Sequence, residues 1–108
     1  MKPITKTLAA LAFAAPVLFS GAAVALDGEK LFQEKTCFTC HGKDGKTPIL
    51  PIYPKVAGQN KDYALAQMKD IQSGARNNGQ AAAMKGIMHL VSDEEMEVLA
   101  AYLETLAP

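Results

Sequence analysis

The chain has 108 residues, with 11 acidic residues against 11 basic ones and no tryptophan. That length suits one small domain, of a size at which burial alone gives marginal stability. A balance this close to neutral excludes the strongly basic surface that nucleic acid or an anionic membrane would require.

The first 25 residues read as a secretory signal. Lys2 and Lys6 form a short positive region, Leu8 to Phe19 is apolar and broken only by Pro16, and Ala23-Val24-Ala25 is a small-residue cleavage site. Cleavage after Ala25 leaves a domain of residues 26–108 and, with Lys2 and Lys6 gone, moves the net charge from 0 to −2. The competing reading is an uncleaved anchor, since Thr7 to Leu26 carries no charge and is just long enough to span a bilayer. Pro16, Gly21 and the A-x-A pattern favour cleavage, and no cysteine lies near the cut to take a lipid. The expected location is the periplasm, with membrane association only if the leader is retained.

A first helix is expected from Asp27, an N-cap residue, with Gly28, Leu31 and Phe32 on one face at helical spacing. It runs towards Cys37-Phe38-Thr39-Cys40-His41, which holds both cysteines of the chain. C-x-x-C-H is the attachment signature of a c-type haem. Two thiols three positions apart on a helical turn reach the two vinyl groups of one porphyrin edge. The following imidazole then faces the iron as its proximal ligand. Other readings of the cysteines are weaker. A thioredoxin-like dithiol needs a βαβ context, and no strand pattern precedes Cys37. A zinc site needs about four ligands, and His89 lies outside finger spacing. A disulfide across two intervening residues would close almost no loop and stabilise little.

Gly42, Gly45, Pro48, Pro51, Pro54 and Gly58 exclude regular structure through most of residues 42–58. So long an irregular stretch needs something to pack on, and a haem edge supplies it. A second helix is expected from Lys61 to Gln72, with Asn60 as N-cap, Gly74 past its end, and Tyr63, Leu65, Met68 and Ile71 as its apolar residues. Residues 73–83 read as a second polar, Gly-containing loop that ends at Met84. The third helix has the clearest start. Ser92-Asp93-Glu94-Glu95 is a capping box, and Met96, Leu99, Ala100, Leu103 and Leu106 follow at helical spacing with Tyr102 beside them. No segment alternates at period two, so no sheet is expected. A domain of this size gains from a staple, and a covalent haem would supply one. The haem-free chain is therefore expected to fold poorly.

Four segments together resemble the class I c-type cytochromes, above all the small bacterial periplasmic members and the single domains of di-haem forms. They are Cys37-Phe38-Thr39-Cys40-His41; Tyr53 to Gln59; Tyr63 with Gln67-Met68 and Gly74-Ala75-Arg76; and Met84 with Val91 to Glu95 and Ala100 to Leu103. The resemblance covers essentially all of residues 26–108. It implies an all-α fold of three or more helices around one covalent haem c and its iron, with the N- and C-terminal helices crossing. Gly28 and Phe32 would then meet Leu99 and Tyr102.

The resemblance also implies a methionine as the second iron ligand, and Met84 lies about where the family places it. Met88 is the alternative, four residues on. Met68 and Met96 fall on apolar helix faces and read as core, and His89 reads as a surface or packing residue. The resemblance points to the carbonyl of Pro54, or else Pro51, as acceptor for the second ring nitrogen of His41. Arg76, the only arginine, either pairs with a haem propionate or is a solvated cation. Tyr63 and Gln67 are further residues expected near the haem.

Two axial protein ligands leave no open coordination site, so one-electron transfer is the expected chemistry. No nucleophile and base are grouped in the sequence, and the chain is not expected to be an enzyme or to act on a small-molecule substrate. The expected partners are redox proteins, a donor and an acceptor. Three roles fit: a free carrier; a cytochrome subunit held by a partner such as a flavoprotein dehydrogenase; or a haem-based sensor, if the sixth ligand is weak.

Overall fold

In the computed structural model, residues 25–108 are described, together with the isolated Pro3. The expected leader and its cleavage site therefore lie outside the described residues, apart from Pro3 and Ala25. Five helices follow one another: α1 (Gly28–Glu34), α2 (Cys37–His41), α3 (Lys61–Ser73), α4 (Ala81–Met88) and α5 (Asp93–Thr105). There is no strand among the described residues.

Local chemistry sets several of the helix ends. The Asp27 carboxylate accepts from the amides of Glu29 and Lys30, and the Asn60 side chain accepts from Tyr63. Ser92 and Glu95 form the reciprocal capping box that opens α5. Gly74 closes α3 in the left-handed conformation.

Two features depart from the sequence expectations. The approach to the cysteines is not one continuous helix. Thr36 has φ of 62°, the only non-glycine residue of the described chain in the left-handed region, and it separates α1 from α2. The second departure concerns Met84, which does not end a loop but lies within α4. Ala81-Ala82-Ala83 has the strongest intrinsic helix propensity available, which outweighs the missing side-chain cap at Gln80.

The packing order is α2 on α1, α1 on α5, α5 on α3, and α3 on α4. The terminal helices α1 and α5 therefore pack together, as the family resemblance implies. Gly28 meets Tyr102, and the rings of Phe32 and Tyr102 lie 5.7 Å apart at 57°. Leu31, Phe32, Met68, Ile71, Leu99 and Leu103 form much of the core, and Met96 and Ala100 are fully buried. The first and last members of the packing order, α2 and α4, do not pack on each other. The space between them is the site described next.

Candidate haem site

A cleft of about 540 Å³ is lined by residues from α2, α3, α4, α5 and the loop after α2. Because α2 and α4 pack on different neighbours yet both line it, the cleft holds them apart. One side carries Cys37, Cys40 and His41, and the α4 side carries Met84, Ile87 and Met88. Met68, Ile71, Leu99 and Leu103 supply apolar lining from α3 and α5.

His41 is the one polar or charged residue buried among the described residues, at 6% exposure. Its Nδ1 donates to the carbonyl oxygen of Pro54 at 2.8 Å. That bond fixes the ring and its tautomer and leaves Nε2 as the nitrogen free to coordinate. Pro54 is held there by the order of its loop. The Asp44 carboxylate accepts from the amides of Lys46 and Thr47 and from the Thr47 hydroxyl, which holds it below the usual carboxylate range. The Gly45 carbonyl accepts from Val56 and Ala57, and the Ile49 amide donates to the Cys40 carbonyl. The irregular segment is thus pinned at both ends of its course around the cleft.

Both cysteines are free thiols. Burial pushes the Cys37 thiol up to about 11, so it stays protonated and is a poor nucleophile until something activates it.

The structure brings Cys37, Cys40, His41, Pro54, Arg76 and Met84 to one cleft. Tyr63 and Gln67 line it as well, and Arg76 Nη1 donates to Gln67 Oε1 at 3.0 Å. Pro51, His89 and Met96 do not line it. His89 is exposed at the C-cap of α4, and Met96 is wholly inside α5's core face. Met88 lines the cleft but is only 2% exposed, packed in the core. Gln72 is a residue that sequence reasoning missed. It reads as an ordinary polar position near a helix end, yet its side chain donates to the carbonyls of Met88 and Val91.

Among the described residues no three His, Cys, Asp or Glu side chains gather to hold a metal ion by themselves. What is assembled is a large apolar cleft with two thiols, one oriented imidazole and the thioethers of Met68, Met84 and Met88. That donor set fits a flat, mostly apolar macrocycle carrying its own iron, held covalently at one edge.

The cytochrome c family model matches residues 25–107. The chain belongs to the cytochrome c family. Members of this family carry covalent haem and its iron. The chain is 37% identical over 103 residues to a thiosulfate dehydrogenase electron acceptor of Stutzerimonas stutzeri, covering 89% of this chain and 46% of that protein. It is 35% identical over 98 residues to cytochrome c-553 of Nitratidesulfovibrio vulgaris, covering 91% of this chain and 89% of that one. Its fold is similar to that of reduced recombinant cytochrome c4 from Pseudomonas stutzeri. The TM-score is 0.65 at 32% identity, over 74% of this chain and 46% of that one. The chain thus spans about half the length of two of these relatives and most of the third. Among its described residues no helix is long and apolar enough to cross a membrane.

Proposed function

We propose that this cytochrome is a periplasmic one-electron carrier, with haem bound through Cys37 and Cys40 and its iron held between His41 and Met84. The observation that carries the reading is the pairing of His41 and Met84 across one cleft, on helices that do not pack on each other. When bound, the haem iron supplies reversible one-electron oxidation and reduction.

The chain's own residues do the rest. Pro54 holds the His41 ring so that Nε2 is presented to the cleft. The apolar lining from Met68, Ile71, Leu99 and Leu103 excludes water, which tunes a redox centre through the local dielectric. Arg76, on the cleft lining, offers a fork for a propionate carboxylate. Ile49 and Ile52, each 61% exposed, and Leu50, 45% exposed, lie in the loop tied to Cys40 by the Ile49 amide. They give a redox partner a small apolar contact surface near the attachment edge.

Absorption spectra of the oxidised and reduced protein test the reading, on wild type and on Met84→Ala. A low-spin wild type with the weak sulfur-to-iron charge-transfer band, lost in Met84→Ala, supports it. A wild type without that band, whose reduced form binds carbon monoxide at once, replaces electron transfer by sensing.

A second role has one observation in its favour. The S. stutzeri relative is named as an electron acceptor of a dehydrogenase. On that basis this chain would serve as the cytochrome partner of a periplasmic dehydrogenase. Copurification and native mass separate a tightly held subunit from a free carrier.

A further inference from the structure

The helix that carries Met84 is tied to other elements by side-chain hydrogen bonds only at its end, although Ala81 at its start is buried against the cleft. At its start, Gln80 supplies no side-chain cap, and residues 75–80 before it are all exposed. At its end, Met88 and Val91 are buried, and the carbonyl of Met88 and two of the following turn accept from side chains outside α4. The half-buried Lys35 donates from Nζ to the Leu90 carbonyl at 2.8 Å. The Gln72 amide nitrogen donates to the Met88 carbonyl at 2.8 Å and to the Val91 carbonyl at 3.0 Å, and this pair is partly buried.

The last carbonyls of any helix lack intrahelical partners. Here one side-chain amide from α3 donates to the last carbonyl of α4, at Met88, which also accepts from the Val91 amide, and to the Val91 carbonyl in the turn beyond it. Gln72 follows Ile71, which is buried and lines the cleft. The same turn of α3 therefore packs against the cleft and sets the height of α4 beside it. Met84 lies one helical turn before Met88 on α4, so the register of α4 sets where its sulfur lies.

We propose that Gln72 is a positioning residue for the axial methionine: by holding the Met88 and Val91 carbonyls it fixes α4 so that the Met84 sulfur stays in reach of the iron. This rests on the assignment of Met84 as ligand. Losing both bonds lets α4 shift, and an external ligand then competes better for the iron.

The test is an imidazole titration of the oxidised holoprotein, read as loss of the sulfur-to-iron band. Gln72→Met keeps the volume and removes both donors. It is expected to lower the imidazole concentration at half-displacement about tenfold, the weight of one or two net hydrogen bonds. Gln72→Lys, which keeps a donor, is expected to stay near wild type. Gly28→Ala, a destabilising change between α1 and α5, neither of which packs on α4, should leave the midpoint where it was. An unchanged midpoint in Gln72→Met overturns the proposal, as does an equal fall in Gly28→Ala. Should Gln72→Met fail to retain haem, Gln72→Glu against Gln72→Lys makes the same comparison, with only the Glu variant expected to shift. If Met84→Ala keeps the band, the ligand assignment is what has failed, and the Gln72 titrations do not decide that point.

Discussion

Gly28 and Tyr102 approach so closely that a Cβ on Gly28 would lie 2.5 Å from the Cβ of Tyr102 and 3.1 Å from the Val98 carbonyl oxygen. Neither neighbour is the free end of a flexible side chain, so α1 and α5 would have to separate to admit a methyl group. Gly28→Ala is expected to destabilise the holoprotein by about 1–3 kcal/mol, the usual cost of overpacking. Urea unfolding measures it, and a midpoint equal to wild type would show that the crossing is looser than its geometry implies.

Thr36 occupies the left-handed region at φ of 62°, immediately before Cys37. A β-branched residue there is strained, by roughly 1–2 kcal/mol, and glycine is not. Thr36→Gly is expected to gain about 0.5–1 kcal/mol after its own entropic cost. The same unfolding experiment reads this, and a loss of stability would mean that the Thr36 side chain makes up for its backbone.

Glu95 accepts from the Ser92 amide and pairs with Lys35 at 3.4 Å, and the Ser92 bond foremost holds its carboxyl below the usual value of 4.5. A carboxylate with a depressed native pKa stabilises the fold above the unfolded value, and that stability is lost as pH falls through the folded value. Wild type is thus expected to lose more stability than Glu95→Gln between pH 6 and pH 3, in unfolding curves of the holoprotein. Parallel losses would remove Glu95 from the acid response.

The cleft of about 540 Å³ lies where two helices would otherwise have to close on each other. A chain that cannot attach haem, as in the double variant Cys37→Ser and Cys40→Ser, loses the group that would fill it. Its far-UV helical signal is expected to fall and its thermal transition to broaden. A sharp transition at the wild-type midpoint would show that the protein core suffices alone.

Much of the fold is legible locally. Asp27, Asn60 and Ser92 start helices because their short side chains reach nearby amides, and Gly74 ends one because it tolerates positive φ. The absence of period-two alternation and the spacing of Leu99, Ala100 and Leu103 lead to an all-α fold without further information. The break at Thr36 is harder to see, since a threonine with positive φ runs against its own preference. The fourth helix is also hidden: it follows a polar run, and Gln80 gives no capping signal.

The sequence by itself determined the starts of α1, α3 and α5, the end of α3, the apolar faces and the one motif, C-x-x-C-H, whose chemistry is carried by its spacing. Each of these depends on residues within a turn or two of one another, so composition and order suffice. Only the tertiary structure decided that the Pro54 carbonyl accepts a hydrogen bond from His41 Nδ1, that Met84 shares a cleft with His41, and that Gln72 ties α3 to the end of α4. Those relationships join residues 13 to 43 positions apart, with the bonds from Gln72 spanning 16 and 19. They exist because burying the apolar faces of α1, α3 and α5 leaves α2 and α4 apart, and no local pattern records where that packing stops.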